Sequence, residues 1–198
     1  MRCLLIFVFN FILIQRIVGQ ASTEILDSKL SPKRDILLQY TDNDSCICMD
    51  VWLISKKDST QRFMLDSAIT LGTKYLFSPN EKWIAANYEA LSNLREILLY
   101  KHIEGIRYSH IDNINIFEKA SAFLSMKMHL PYIPRFGHEY TQIIRWLPSS
   151  ESFLVRIDVW DEDHGISVRD WTCIFNVNSL SVSEDKYNHG KVNQLGVK

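Results

Sequence analysis

Apolar and polar residues alternate with period two over most of the chain, so most of it reads as β-strand. Two runs, Ile36 to Tyr40 and Cys46 to Ile54, flank Thr41-Asp42-Asn43-Asp44, whose short polar side chains favour a turn. In the second run Ile47, Met49, Val51 and Leu53 fall on one face, and Cys46, Cys48, Asp50 and Trp52 on the other. Apolar residues on both faces suit an interior strand. Gln61 to Ala68 and Ile69 to Phe77 read as further extended segments. Trp83 to Tyr88, Glu96 to His102 and Ile106 to His110 form an expected antiparallel meander, because their connections are too short for parallel crossovers. Tyr140 to Trp146 is the next strand, followed by a hairpin of Phe153 to Trp160 and Trp171 to Val177.

The period changes once. Ile116, Ala120, Phe123 and Leu124 fall at helical spacing, preceded by Asp112 and Asn113, which are good N-cap residues. The spacing predicts one amphipathic helix from about Asn115 to Met128, ended by Pro131 and Pro134. The expected class is mainly β (α+β): a meander of about eight to ten strands with one inserted helix. Residues 35–178 form the expected domain, with residues 20–34 as a tether and residues 179–198 as a polar tail.

Two segments about 70 residues apart repeat one pattern. They are Tyr75-Leu76-Phe77-Ser78-Pro79-Asn80-Glu81-Lys82-Trp83-Ile84-Ala85-Ala86 and Ile144-Arg145-Trp146-Leu147-Pro148-Ser149-Ser150-Glu151-Ser152-Phe153-Leu154-Val155. Each is a strand ending in an aromatic, then x-Pro, a short polar stretch and a second apolar run. Proline sets φ at the first turn position, and polar residues solvate the bend. The pattern resembles the "W-S-P-D-G-K-x-L-A" turn of β-propeller blades in exported bacterial proteins, most closely at Phe77 to Ala85, where Asn80-Glu81 replaces Asp-Gly. From Tyr75 through Trp171 the chain is similar to small exported bacterial proteins carrying this double hairpin. The resemblance implies hairpins of blade type and a bacterial envelope or exterior setting; it implies no particular activity. The chain length and the spacing of the copies argue against a closed propeller.

The N-terminus changes the picture most. Arg2 precedes an apolar run from Cys3 to Ile14 broken only by Asn10, with small residues at Gly19 and Ala21. That is the pattern of an export signal over residues 1–19, cleaved after Gly19 or Ala21. The run is about a dozen residues, short of the ~20 that span a bilayer, so no stable membrane span is expected after cleavage. Retention as an anchor is the alternative. Cleavage removes Arg2 and Arg16 and no acid, leaving 20 basic against 23 acidic residues, a net charge of −3. With no basic run, a nucleic-acid partner is not expected.

In an oxidising periplasmic or secreted setting the remaining Cys46, Cys48 and Cys173 permit one bridge. Cys46 and Cys48 read as neighbours on one side of a strand, a poor geometry for pairing with each other. The expected bridge joins one of them, with Cys48 as the candidate and Cys46 as the alternative, to Cys173 and closes a loop of about 125 residues.

Candidate chemistry concentrates in Asp158-Val159-Trp160-Asp161-Glu162-Asp163-His164-Gly165, with Asp170 beyond. Asp161, Asp163 and His164 are the candidate metal ligands, for Ca²⁺ if for any cofactor, although the spacing matches no dedicated loop. Arg156 and Asp158 share a strand face and are placed to pair. Trp160 and Trp171 flank the loop as candidate ligand-binding residues, and hairpin packing is the alternative for both. There is no Gly-x-Ser-x-Gly elbow, phosphate-cradling glycine loop or His-x-x-x-His pair. With no catalytic constellation, the expected function is a non-enzymatic binding module for a protein or envelope ligand. A hydrolase or metal-assisted enzyme using the 158–170 loop and a structural envelope component are the alternatives.

Overall fold

The computed structural model describes residues 24–70, 72–129, 138–161, 165–187 and 190–194. The expected export signal, residues 1–19, lies outside them. Among the described residues the fold is mainly β with one helix, arranged as three antiparallel four-stranded units in series. The first contains β1 (Ile25–Leu30), β2 (Ile36–Asp42), β3 (Met49–Ser55) and β4 (Arg62–Ile69), in that spatial order. The second contains β5 (Lys74–Phe77), β6 (Trp83–Leu91), β7 (Leu94–Glu104) and β8 (Arg107–His110). Helix α1 (Ile116–Met128) follows. The third unit contains β9 (His138–Trp146), β10 (Ser152–Asp161), β11 (Ile166–Asn176) and β12 (Ser181–Glu184). A last strand, β13 (Lys191–Gln194), pairs with the start of β11. A short parallel contact, Leu94 with Glu139 and Arg95 with Tyr140, joins the second and third units into one open sheet.

Alternation on β6 decides how the units stack. Ile84 and Ala86 face one way, Trp83 and Ala85 the other, and all four are buried. The first face joins Tyr75, Phe77 and Tyr100 against Leu38, Val51 and Leu53 of the first unit. The second face joins Ile97 and Leu99 against Phe153, Val155 and Ile157 of the third unit. Helix α1 packs into this second core through Ile116, Phe117, Ala120 and Leu124. The middle unit is therefore covered on both faces.

Hydrogen bonds reinforce both junctions. On β4, Asp66 Oδ2 accepts the hydroxyls of Tyr75 (β5) and Tyr100 (β7), each at 2.6 Å. Burial pushes the Asp66 carboxyl above its usual range, and these hydroxyls pull it partly back. At the other junction the Trp146 indole N–H donates to the Leu76 carbonyl at 2.9 Å. The two repeated turns share one geometry. Glu81 N–H donates to the Ser78 carbonyl and Ser150 N–H to the Leu147 carbonyl, each at 2.9 Å. Glu81 and Ser150 both have φ 62°. The turns also touch, since Asn80 N–H donates to Ser150 Oγ at 3.0 Å.

Several local features differ from the sequence reading. Asn115 caps α1 by accepting from Glu118 N–H at 2.9 Å, because Asn113, with φ 66°, lies in the turn before it. The strand expected from Cys46 begins only at Met49, and Ile47 points into solvent from the turn. Residues 25–30, read as a tether, form the exposed edge strand β1, held by its ladder to β2. The polar segment after Asn178 supplies β12 and β13, both on the edge of β11. Backbone pairing at an edge needs no apolar pattern, so hydropathy does not reveal these strands.

Two results are expected in urea unfolding. Asp66→Ala orphans two tyrosine hydroxyls and should cost about 2–4 kcal/mol, whereas Asp66→Asn keeps an acceptor and costs less. The fold raises the Asp66 pKa above its usual 3.8. Stability from its neutral form is thus present below that pH, is lost as pH rises through the folded value, and is absent from the Asn variant. Ala85→Leu and Ala86→Leu should each cost about 1–3 kcal/mol, because both methyls face filled cores; a neutral result at either would deny double-sided burial.

Candidate functional site

The third unit buries one face and opens the other. On β10, Val155, Ile157 and Val159 point into the core, so Arg156, Asp158 and Trp160 point outward. Antiparallel register sets Gln142, Tyr140 and His138 of β9 directly opposite Arg156, Asp158 and Trp160. On the other side β11 carries an extra residue: Ile157 pairs with Trp171 but Val159 with Val168. This bulge exposes both Arg169 and Asp170, with Asp170 in the left-handed region at φ 52°.

Arg156, Asp158 and Asp170 are engaged with one another, and Arg169 stands exposed beside them. Asp158 Oδ1 accepts the Asp170 backbone N–H at 2.6 Å, which holds the bulge. Its Oδ2 pairs with Arg156 Nε at 3.0 Å, as the shared strand face predicts. Arg156 Nη1 also lies 3.5 Å from Asp170 Oδ1. With its amide turned so that oxygen faces the guanidinium, Gln142 accepts from Arg156 as well. Asp158 thus serves as an anchor for Arg156 and the bulge; both its oxygens are occupied, which suits structure better than general-base chemistry.

The aromatic groups beside this network remain open. Trp160 is 45% exposed and its ring centroid lies 6.1 Å from that of His138, at an interplanar angle of 32°. His138 stacks in turn near Tyr140, at 6.3 Å and 23°. Tyr140 is fixed from behind, its hydroxyl donating to the Ser92 carbonyl at 2.9 Å and Arg95 lying 5.6 Å over its ring. These three rings, with Val159, Val168 and Asp170, border a shallow groove of about 430 Å³.

The structure separates the residues singled out from the sequence. Trp160 lines this groove. Trp171 is 5% exposed on the opposite face of the sheet, packed near Phe123 of α1, so the two indoles share no groove. Asp161 ends β10, whereas Asp163 and His164 lie outside the described residues. Among the described residues no cluster of three or more His, Cys, Asp or Glu side chains is placed to hold a metal. No described helix is long and apolar enough to cross a membrane. His138 and Tyr140 escape sequence reasoning, because only the register between β9 and β10 brings them beside Trp160.

The expected Cys48–Cys173 bridge is not formed. Cys46 and Cys48 pair with each other, and Cys173 is a free, buried thiol. The reason is topological: Cys46 and Cys48 belong to the β2–β3 turn of the first unit, whereas Cys173 lies inside the second core, among residues of the third unit. Because Cys46 is in a turn and not in a strand, the two sulfurs can meet. Burial, and next the nearby Asp185, push the Cys173 thiol up to about 12.

Comparison with family models and with curated protein sequences finds no match for this chain.

Cys173 should resist iodoacetamide in the folded protein and react promptly in urea, as read by peptide mass mapping. Labelling of its peptide at comparable rates in both conditions would contradict the buried, protonated thiol.

Proposed function

We propose that this chain is an exported, non-enzymatic binding module that seats a protein or surface ligand on the shelf formed by Trp160, His138 and Tyr140. One observation carries the reading. A half-exposed indole stands on a three-strand ladder beside Arg156, Asp158 and Asp170, which are engaged with one another. A large, flat, amphipathic ring that loses little conformational freedom on contact is well suited to anchor an interface. The apolar run from Cys3 to Ile14 behind Arg2 supports export. Three four-stranded units packed in series, with matching turns after Phe77 and Trp146, support the resemblance to exported propeller-blade proteins. A hydrolytic role would draw on Asp161, Asp163 and His164, and the engagement of Asp158 by Arg156 and Asp170 favours binding over that alternative.

The test immobilises the wild-type protein and Trp160→Ala against detergent-solubilised bacterial envelope and identifies retained species by mass spectrometry. A species held by wild type should lose affinity by about 2 kcal/mol or more, roughly thirtyfold, with Trp160→Ala at unchanged thermal midpoint. Retention that is equal in both proteins sinks the shelf as the binding site. Turnover of chromogenic ester, glycoside or peptide substrates that disappears in the Asp161→Ala, Asp163→Ala, His164→Ala variant would establish the hydrolase alternative.

A further inference from the structure

The Cys46–Cys48 bond is poorly suited to be a structural staple. It encloses a single residue, with its Cα atoms 5.2 Å apart. In the chain-entropy view a cross-link stabilises by restricting the unfolded chain, and the effect shrinks with the loop it closes. A one-residue loop leaves almost nothing to restrict. The turn is also held without it. Asn43 N–H donates to the Cys48 carbonyl at 3.2 Å, and Cys46 N–H donates to the Asn43 carbonyl at 3.1 Å. The Asn43 side chain accepts from Ser45 N–H at 3.0 Å and donates from Nδ2 to Asp50 Oδ1 at 2.8 Å.

The two sulfurs differ in access. Cys46 is exposed at the tip of the turn, whereas Cys48 is 6% exposed immediately before β3. Between them Ile47 stands 92% exposed, an apolar side chain directed at solvent from the middle of the ring. Isolated exposed hydrophobics are ordinary. This one stands directly beside the open sulfur of Cys46 in the sequence of the turn. The Ser45 hydroxyl lies 4.0 Å from Cys46 Sγ, within reach of a weak hydrogen bond to that sulfur.

We propose that Cys46–Cys48 is an exchange-active disulfide that reacts with a cysteine thiol of a second protein, with Cys46 as the attacked sulfur and Ile47 as the contact for the incoming chain. The partner's thiolate attacks Cys46 Sγ; a new S–S bond forms as the Cys46–Cys48 bond breaks, and the electron pair leaves on Cys48 Sγ, which takes a proton from solvent. A second thiolate of the same partner then attacks the partner's sulfur in the mixed disulfide and releases Cys46 as thiolate. Two electrons pass from the partner's dithiol to this pair, leaving a disulfide on the partner and two thiols here. Exposed disulfides are the labile and catalytic kind. This site lies in the first unit, and its chemistry is independent of the ligand shelf on the third.

The test uses the full chain with reduced, unfolded ribonuclease A as the dithiol probe. Cys46 and Cys48 should both become alkylatable as the probe gains an equivalent of disulfide, while Cys173 stays unlabelled. Reduced Cys48→Ser, incubated with scrambled ribonuclease, should accumulate a disulfide-linked adduct through Cys46. Cys46→Ser should form at least tenfold less, because the remaining sulfur is buried. Ile47→Ser should slow the reaction with ribonuclease severalfold and leave the reaction with glutathione unchanged. All three variants should keep the wild-type thermal midpoint, since Asn43 holds the turn. A pair that stays oxidised in excess probe thiol, adducts of equal yield from the two cysteine variants, or an Ile47→Ser effect equal for protein and glutathione would each overturn the proposal.

Discussion

Double-sided burial of the middle unit is the constraint on which the rest of the molecule depends. Ile84 and Ala86 must fill one core while Trp83 and Ala85 fill the other, and these four residues are consecutive. A one-residue slip of β6 against β5 or β7 would exchange the two sets and place an indole where an alanine fits. Register is therefore strongly determined at the centre of the chain. The first and third units inherit their positions from it, because each has one apolar face and only one place to bury it. The clasp of Asp66 on Tyr75 and Tyr100 ties one junction with two hydrogen bonds, and Trp146 to the Leu76 carbonyl ties the other.

Covering the middle unit leaves two outward faces at the ends of the stack. An end face need not be packed, so it can carry side chains chosen for something other than the core. On the third unit the result is a segregated surface: Arg156 is paired with Asp158 and Asp170, and Trp160, His138 and Tyr140 line up beside them. The β11 bulge makes this arrangement possible. It turns the Asp170 N–H toward Asp158 and sets both Arg169 and Asp170 on the outer side, which regular alternation would forbid. The first unit concentrates its unusual chemistry in a turn, where backbone freedom lets Cys46 and Cys48 meet.

Much of the architecture was legible from periodicity. Interior strands such as β3, β6 and β10 announce themselves because burial on one or both faces leaves a period-two pattern, and α1 because its buried residues recur at helical spacing. The repeated x-Pro turns were equally visible, since proline and short polar residues act locally. The edge strands β1, β12 and β13 were not, because their contribution is backbone pairing and their side chains remain in water. Of the candidate site, Trp160 and the Arg156–Asp158 pair could be found from one strand alone. His138 and Tyr140 could not, since they reach Trp160 only through cross-strand register.

By itself, then, the amino-acid order determined the class of fold, the inserted helix, the two matching turns and the buried faces of regular interior strands such as β6 and β10. These follow from short-range rules, in which a residue's role depends on neighbours a few positions away. Tertiary structure alone decided which faces meet, that Trp171 belongs to the core and Trp160 to the surface, and that Cys173 is walled off from Cys48. The physical reason is common to all three. Each depends on contacts between residues far apart in sequence, and those are selected by competition for buried area across the whole chain, not by any local pattern.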